Sequence, residues 1–336
     1  MKHLVPSSLL SSLLSPLLGS LAAVLCACSS TPSPSAPVVP TCTSAKLCSL
    51  SWGSYTFSVD AANGGRVVAF SLAGTNVLVT EATNAADFGA TFWPSPQSAW
   101  NWPPIAAVDT GPYTVSIEDE TLILTSAMFT IKAADPEMTI EKRFSVDSAT
   151  NVVTIEYAFH NLGKTAVPVA PWEITRVAAG GLTFFPNPSS GPVPRTCSGG
   201  FPVPTTSNDE SYTFFADLSS TGQKKLCADG GPKGYEAQLS GDLLLVEAWP
   251  DVPPAGEAPG EGEVEFYTDP SFTYEEVENQ GPYASLAAGS SASWTVRWTL
   301  TKVAGLQPGV TASSVLASAS LRQAVERAAD TEAALP

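Results

Sequence analysis

The sequence predicts an all-β protein built as one large antiparallel sandwich. Between residues 49 and 302, short runs of Val, Ile, Thr, Phe, Tyr and Trp alternate with Gly, Pro, Asn and Asp, which is typical of strands joined by tight turns. No convincing amphipathic helix interrupts this span. The span keeps one rhythm and shows no repeat of fixed period, which favours a single sandwich over two smaller domains.

The predicted strands are short, and turns such as Asn63-Gly64-Gly65 separate them. The clearest of them cover residues 54–59, 66–72, 113–118, 122–126, 138–144, 152–159, 243–249, 264–268, 274–278 and 293–301. Residues 186–234 depart from the rhythm, because they are rich in Pro, Gly, Ser and Asn. They predict a long excursion with one strand at residues 211–216. Residues 251–262 predict a flexible acidic loop.

The C-terminal segment, residues 303–336, changes to a helical pattern. Its apolar residues recur at helical spacing with polar residues between them: Val315, Leu316, Ala319, Leu321, Val325 and Ala328. We expect a short C-terminal helix that packs weakly on the sandwich or frays.

The N-terminal residues 1–27 have the layout of a bacterial lipoprotein signal peptide. Lys2 gives a short basic start, a leucine-rich core follows, and Leu25-Cys26-Ala27-Cys28 resembles a lipobox. The pattern predicts cleavage after Ala27 and a lipid on Cys28. An ordinary secretory signal is the alternative, whereas a membrane-spanning helix is disfavoured because Pro16 and several serines interrupt the apolar run. Ser29 rather than Asp follows the lipidated position, which favours the outer membrane over the inner one.

The predicted tether, residues 28–48, leads to a sandwich that begins at residue 49. Residues 29–40 are mostly Ser and Pro and cannot bury a core, so they are expected to be extended. The chain carries 16 basic and 32 acidic residues, a net charge of −16. Such a surface repels phosphate backbones and anionic lipid headgroups, so nucleic-acid binding is disfavoured. The lipid, rather than a basic patch, would hold the protein at a membrane.

Four cysteines remain if Cys26 leaves with the signal peptide and Cys28 is lipidated. An even number in an exported chain predicts disulfide bonds. Three pairings are possible, and proximity along the sequence favours Cys42 with Cys48 and Cys197 with Cys227. A metal site is the alternative, but the sequence has no CxxC pair and no histidine near these four cysteines.

Four segments carry motifs in an order that is similar to that of galactose mutarotase-like proteins. They are residues 63–78 (beginning NGGRVVAFSL), 88–104 (FGATFWPSPQ, then WPP), 170–181 (APWEITRV, then GG) and 266–289 (with FY, ENQGP and a later Gly). The chain resembles a poorly characterised branch of this superfamily that lacks a defined activity. The resemblance implies an antiparallel β-supersandwich with an open sugar-binding cleft.

The resemblance also implies where acid–base chemistry would lie. Epimerisation of an aldose at C1 needs an acid at the ring oxygen and a base at the anomeric hydroxyl. The similar mutarotases use a histidine and a glutamate for these roles. Glu278, followed by Asn279 and Gln280, matches the glutamate motif and is the candidate base. Strand alternation places Tyr274 and Glu276 on its face, where the charge of Glu276 could raise the pKa of Glu278.

The histidine of the mutarotases has no counterpart in this chain. Trp172-Glu173 occupies the segment where it would fall, so Glu173 is the candidate acid, with a structural hydrogen-bonding group as the alternative. His160 is expected to be an ordinary residue beside a turn. The fold can therefore persist where the reaction does not.

Sugar binding depends less on the missing histidine. Aromatic faces stack on the C–H surfaces of sugars, and carboxylates, amides and Arg bond the hydroxyl groups. Trp294 and Trp298 lie on an apolar strand and are expected to be core residues. The predicted sugar-binding residues lie within the family-like segments: Trp93, Gln97, Trp100, Trp102, Trp172, Arg176 and Glu276.

Other catalytic signatures are absent from the sequence. It has no G-x-S-x-G elbow, P-loop, HExxH motif or dinucleotide-binding glycine pattern, and no cofactor or metal is predicted. Acidic stretches at residues 251–263 and at Asp209-Glu210 lack the spacing of a calcium-binding EF-hand and are expected to be solvated charge.

The sequence therefore favours an exported, lipid-anchored protein of the cell envelope that binds a mono- or oligosaccharide. One alternative is an aldose 1-epimerase-like enzyme, which needs an acid and a base facing each other across a cleft. The other is a structural lipoprotein, whose cleft would be filled by side chains. Convergence of Glu173, Glu278 and Trp93 in one open pocket would favour a functional site. The sequence leaves the identity of the sugar and the oligomeric state open.

Overall fold

The computed structural model describes residues 37–188, 196–203, 207–208, 212–216 and 222–303, with eight scattered residues between 311 and 326. The predicted signal peptide, Cys28 and the first part of the tether lie outside the described residues, as do Asp209 and Glu210. In the part of the chain that is described, no helix combines the length and the apolar character needed to cross a membrane.

Strands form nearly all of the regular structure in the described residues. The first half of the chain contains β1 Thr41–Cys42, β2 Leu47–Trp52, β3 Tyr55–Asp60, β4 Arg66–Leu72, β5 Thr75–Asn76, β6 Ala90–Ser95, α1 Ala106–Asp109, β7 Thr114–Glu118, β8 Thr121–Thr125, β9 Met138–Asp147 and β10 Val152–Asn161. The second half contains β11 Val167–Ala178, β12 Leu182–Pro186, β13 Ser207–Asn208, β14 Tyr212–Ala216, β15 Lys224–Ala228, β16 Tyr235–Ser240, β17 Leu243–Ala248, β18 Val264–Thr268, β19 Tyr274–Gln280, β20 Ala284–Leu286 and β21 Ser291–Lys302. Short 3-10 turns lie at Gln97–Ala99, Gly231–Lys233 and Pro254–Gly256.

Two antiparallel sheets pack face to face, which confirms the predicted all-β sandwich. The first sheet has 11 described strands in the order β1-β2-β3-β4-β6-β11-β19-β18-β15, with β5 paired to β4 and β20 paired to β11. The second sheet has 10 described strands in the order β13-β14-β12-β16-β17-β21-β10-β9-β8-β7. Both sheets draw strands from distant parts of the chain, so residues far apart in sequence become neighbours.

The first sheet begins earlier than the predicted domain start at residue 49. Thr41–Cys42 pairs with Ser49 and Cys48 on β2, and the side chains of Val38 and Pro40 are buried. The end of the predicted tether is therefore part of the sandwich. The reason is that the paired strand satisfies the backbone donors and acceptors of this segment.

None of the clearest predicted strands corresponds to β6 or β11, which lie at the centre of the first sheet. All six residues of β6 are buried, and β11 is buried at nine consecutive positions between its second residue and its last. A strand buried on both faces has no apolar–polar alternation, which is the signal that strand prediction uses. The excursion at residues 186–234 does contain the predicted strand as β14, and it adds β15 at the edge of the first sheet.

The core between the sheets is aromatic at its centre. Phe57 of the first sheet makes an edge-to-face contact with Trp298 of the second sheet, with ring centroids 6.0 Å apart. Phe92 of the first sheet stacks on Tyr157 of the second, with centroids 4.0 Å apart. Trp294 and Trp298 are buried, as predicted.

Two disulfide bonds join the cysteine pairs that sequence proximity favoured. Cys42 is bonded to Cys48, and this bond fastens β1 to β2. Cys197 is bonded to Cys227 and attaches the excursion to β15.

The predicted C-terminal helix is described only in part. Arg322, Gln323, Val325 and Glu326 are helical, and Val325 is buried in an apolar cluster with Val303 and residues of β12, β16 and β17. Ser314 and Ala319 are also helical and Ala317 lies in a turn, whereas Val315, Leu316, Leu321 and Ala328 lie outside the described residues.

Replacing Cys197 and Cys227 together by alanine is expected to lower the free energy of unfolding by about 3 kcal/mol. The bond spans a sequence separation of 30, so it restricts a long loop of the unfolded chain. Urea unfolding followed by tryptophan fluorescence measures the change. The matched control is the Cys42 and Cys48 double alanine variant, whose bond spans a separation of only 6 and should matter less. A larger loss in the control would contradict the loop-length argument.

Candidate functional site

The side chains of β11 and β19 alternate between the two faces of the first sheet. Glu173 of β11 and Asn279 of β19 point to the second sheet, where they contact Trp298 and Trp294 of β21. Their neighbours, Trp172 on β11 and Glu278 on β19, therefore point to the opposite, outer face. The structure agrees with the predicted alternation of Tyr274, Glu276 and Glu278 on one face.

A cavity of about 370 Å³ lies on this outer face, and we call it the tryptophan cavity. Five of the predicted sugar-binding residues line it: Trp93, Gln97, Trp102, Trp172 and Glu276. They come from β6, the loop that follows it, β11 and β19. The structure thus brings three tryptophans, one glutamate and one glutamine from separate segments of the chain into one cavity.

Trp93 is the centre of the aromatic cluster. Its ring makes edge-to-face contacts with Trp100, Trp102 and Trp172, at centroid distances of 5.8, 6.2 and 5.4 Å. Trp100 donates its indole N–H to the carbonyl of Pro94 at 2.7 Å and does not line the cavity. Trp100 therefore packs against Trp93 outside the cavity lining, which differs from its predicted role in contacting sugar.

Asp109, at the end of α1, holds the indole of Trp93. Its Oδ1 accepts a hydrogen bond from Nε1 of Trp93 at 2.9 Å and lies 3.4 Å from a guanidinium nitrogen of Arg66. The close approach of Asp109 depends on Gly64, since a Cβ at this position would lie 1.9 Å from the Asp109 carbonyl oxygen. The Asn63-Gly64-Gly65 turn thus helps to position a side chain of the site.

Arg176 lies beneath the cavity and forms ion pairs with carboxylates that line it. Its Nε is 2.9 Å from Oε1 of Glu276, and its NH1 donates to the hydroxyl of Thr91 at 3.2 Å. Asp87 lies 4.0 Å away, on the cavity wall. Burial raises the pKa of Glu276, and the positive charges of Arg176 and Lys225 oppose this shift. Arg176 is therefore an ion-pair partner of the lining carboxylates and not itself a lining residue.

Glu278, the candidate base, is covered by its neighbours. Its Oε2 accepts a hydrogen bond from Nε1 of Trp172 at 2.7 Å and lies 3.5 Å from Nζ of Lys225. The side chain is buried and is absent from the wall of the tryptophan cavity. Burial raises the pKa of Glu278 well above its ordinary value, Lys225 opposes this, and Glu265 and Glu276 add to it. The charge of Glu276 does raise the pKa of Glu278, as predicted, but burial is the larger cause.

Glu173, the candidate acid, lies on the wrong face for catalysis with Glu278. One of its oxygens accepts a hydrogen bond from the hydroxyl of Tyr157, and the other accepts from Nδ2 of Asn279 at 2.8 Å and from Nε1 of Trp298 at 3.4 Å. Burial raises its pKa, and these three donors oppose the shift. The structure therefore supports the alternative reading of Glu173 as a structural group. The predicted convergence of Glu173, Glu278 and Trp93 in one pocket does not occur.

Sequence reasoning missed several residues of the cavity. Lys225 and Gln223 come from the excursion and the start of β15, and Tyr267 comes from β18. Nζ of Lys225 lies 4.7 Å from the ring centre of Trp172 and 2.6 Å from Oε2 of Glu265. The excursion shows no motif that marks Lys225, because its pairing to β18 joins segments about forty residues apart in sequence.

The acidic stretch at residues 251–263 is not simply solvated charge, contrary to the prediction. Glu261 and Glu263 are buried, and Glu263 accepts hydrogen bonds from Trp249 Nε1 and from the backbone of Gly230 and Val252. Carboxylate oxygens of Glu263, Asp229 and Asp251 lie within 4.8 Å of one another. The backbone and indole donors already satisfy the carboxylate of Glu263, so Glu263 has a structural role.

His160 lies at the end of β10, away from the cavity. Its Nδ1 is 2.6 Å from the hydroxyl oxygen of Ser291. This contact joins two neighbouring strands of the second sheet, and it agrees with the expectation of an ordinary residue beside a turn.

Comparison with solved structures identifies the architecture. A galactose mutarotase-like protein from Lactobacillus casei superposes with a TM-score of 0.55 at 12% identity, covering 76% of this chain and 100% of the other. The fold is galactose mutarotase-like. A galactose mutarotase-like protein from Clostridium acetobutylicum gives a TM-score of 0.54 at 10% identity, covering 80% of this chain and 99% of the other. A galactose mutarotase related enzyme from Lactobacillus acidophilus gives 0.53 at 9%, covering 78% and 99%.

At these identities the galactose mutarotase-like fold is what the comparisons establish. No protein-family model matches the chain, and no curated protein matches it by sequence. The structural agreement nevertheless covers nearly the full length of each of these solved proteins. The chemistry of the cleft must therefore be argued from the residues of this chain.

Replacing Glu275 by Gln is expected to flatten the dependence of stability on pH. Burial raises the pKa of Glu275 to about 7, and its hydrogen bond from the backbone of Gly180 opposes the shift. A carboxyl group that holds its proton more tightly when folded stabilises the fold less as pH rises above its unfolded pKa. Between pH 5 and 7, the free energy of unfolding should fall by about 1.4 kcal/mol per pH unit more steeply in the wild type than in Glu275→Gln.

Urea unfolding at pH 5, 6, 7 and 8 measures the two slopes. Gln can still accept the hydrogen bond from Gly180, so the variant removes the titration and keeps the contact. Glu120→Gln, at an exposed glutamate, is the control and should retain the wild-type slope. Parallel curves for the wild type and Glu275→Gln would contradict the prediction.

Proposed function

We propose that this protein binds uncharged carbohydrate in the tryptophan cavity and does so as an exported, lipid-anchored component of the bacterial cell envelope. The observation that carries the proposal is the lining of the cavity. Trp93, Trp102 and Trp172 supply aromatic surface, and Gln97 and Asp87 add an amide and a carboxylate. This combination matches the two surfaces of a sugar, its C–H faces and its hydroxyl groups.

The charges around the cavity favour an uncharged ligand. Lys225 lies on the wall, but Glu265 and Glu278 neutralise it at 2.6 and 3.5 Å. The guanidinium of Arg176 is paired with Glu276. A phosphate or carboxylate on the ligand would need a cation that is not already neutralised and would meet Asp87 on the wall, so sugar phosphates and uronic acids should bind poorly.

Binding without epimerisation follows from the positions of the two candidate catalytic acids. Glu278 is sealed from the cavity by Trp172, which occupies the segment where the mutarotase histidine would fall. Glu173 lies on the other face of the sheet and is held by three donors. An acid and a base that cannot reach the same sugar ring cannot divide the proton transfers that ring opening needs. The epimerase alternative therefore has less support than binding.

Sequence features support the proposed location. The leucine-rich start and the lipobox-like Leu25-Cys26-Ala27-Cys28 favour export and a lipid on Cys28. Two disulfide bonds are typical of proteins in oxidising compartments outside the cytosol. The net charge of −16 makes electrostatic attachment to anionic lipid unfavourable, so the lipid would be the anchor. Mass spectrometry of the protein from the membrane fraction, with and without an inhibitor of lipoprotein processing, tests for cleavage after Ala27 and for a lipid on Cys28.

Replacing Asp87 by Asn is expected to weaken sugar binding about tenfold or more. A carboxylate that accepts a hydrogen bond from a sugar hydroxyl contributes about 1.5–3 kcal/mol, and the amide oxygen of Asn accepts a weaker one. Saturation-transfer NMR of the full chain in detergent, with glucose, galactose, mannose, N-acetylglucosamine and their disaccharides, measures binding.

The matched control is Asp119→Asn, because Asp119 is an exposed aspartate in the turn between β7 and β8. It should leave binding unchanged. Equal binding by Asp87→Asn and the wild type would place the ligand elsewhere, and an absence of binding across the panel would favour the structural-lipoprotein alternative.

The protein is expected not to accelerate the interconversion of sugar anomers. NMR exchange spectroscopy on bound glucose and galactose compares the rate of anomer exchange with that in buffer alone. Acceleration that disappears in Glu278→Gln would restore the epimerase alternative and would require Trp172 to move away from Glu278.

A further inference from the structure

A second cavity of about 260 Å³ lies beside the tryptophan cavity, and we call it the adjacent cavity. Asp87 and Trp102 line both cavities, so the two share a boundary. The lining of the adjacent cavity also includes Asn63, Asp109 and Thr110. Their amide, carboxylate and hydroxyl groups are the kind that bond sugar hydroxyls.

Trp102 stands at the boundary and is unusually accessible. Its side chain is 61% exposed, whereas Trp93 and Trp172 are buried at 5% and 2%. Its contact with Trp93 is edge-to-face at 6.2 Å, which leaves most of the indole uncovered. An exposed tryptophan between two polar-lined cavities offers an aromatic surface on which a sugar ring can stack.

A hydrogen bond joins the walls of the two cavities. Trp93 faces the tryptophan cavity and Asp109 faces the adjacent one, and the 2.9 Å hydrogen bond between them joins the two walls. Arg66 also lines the adjacent cavity, and its guanidinium contacts Asp109 and donates to the carbonyls of Ala86 and Phe88. Asp109 pairs with Arg66, and Asp87 adds a second carboxylate to the lining, so the adjacent cavity, like the tryptophan cavity, offers no strong attraction for an anion.

We propose that the ligand is an uncharged oligosaccharide of at least two sugar residues. One residue occupies the tryptophan cavity, the chain crosses Trp102, and the next residue occupies the adjacent cavity. This inference rests on the proposed function, because it extends the same carbohydrate site. It adds that a free monosaccharide fills only one of the two cavities.

Isothermal titration calorimetry of the full chain in detergent tests the size of the ligand. The probes are glucose, galactose, mannose and N-acetylglucosamine, each compared with its own β-1,4-linked and α-linked disaccharides. At least one disaccharide is expected to bind about tenfold more tightly than its monosaccharide, which corresponds to ~1.4 kcal/mol. The gain should come from the second sugar residue on Trp102 and the polar wall beyond it.

Trp102→Ala is expected to remove most of this tenfold gain and to change monosaccharide affinity less. Trp102→Phe keeps a flat aromatic face and should recover part of the gain. Met128→Ala is the control, because Met128 is 60% exposed, close to the value for Trp102, and lies outside both cavities. A thermal unfolding curve for each variant confirms that it is folded before binding is compared.

The outcomes separate this inference from the proposed function. Equal affinity of the wild type for every disaccharide and its monosaccharide overturns the inference and leaves carbohydrate binding intact. Equal weakening of mono- and disaccharide binding by Trp102→Ala also overturns it, because Trp102 would then serve the tryptophan cavity alone. A failure of the wild type to bind any probe overturns the proposed function itself.

Discussion

Successive side chains of β11 and β19 lie in two environments that place opposite demands on a polar group. On the inner face, Glu173 and Asn279 are surrounded by aromatic rings of the second sheet and must find every hydrogen bond within the protein. On the outer face, Trp172 and Glu276 border a cavity open to a ligand. The period of two along a strand forces each neighbour to the other face, so one strand pair builds both the core and the site.

The charged groups near the site are stabilised by pairing. Arg66 with Asp109, Arg176 with Glu276, and Lys225 with Glu265 are each at or near hydrogen-bond distance and largely shielded from water. Removing one member of such a pair would leave a buried charge without a partner, which is costly. These pairs therefore fix the floor and walls of the cavity. The same pairing removes the cations that an anionic ligand would need.

In this galactose mutarotase-like fold, Glu173 and Glu278 lie on opposite faces of the first sheet. Trp172 fills the space in front of Glu278 and donates a hydrogen bond to it. An indole is bulky and cannot act as a proton donor to a sugar ring at neutral pH as a histidine can. The lining of the cavity on the outer face is aromatic surface with a few polar groups.

The sequence by itself determined the all-β class, favoured the two disulfide pairs that form, and pointed to the three tryptophans that line the cavity, because strand periodicity, cysteine proximity and local motifs are all visible along the chain. It could not determine that Glu173 and Glu278 lie on opposite faces of the first sheet, since the two belong to different strands and their register is set by pairing over about a hundred residues. Nor could it show Lys225 beneath Trp172, because β15 joins the sheet through β18. Only the tertiary structure decided these relations, since long-range strand pairing and burial leave no local signal in the sequence.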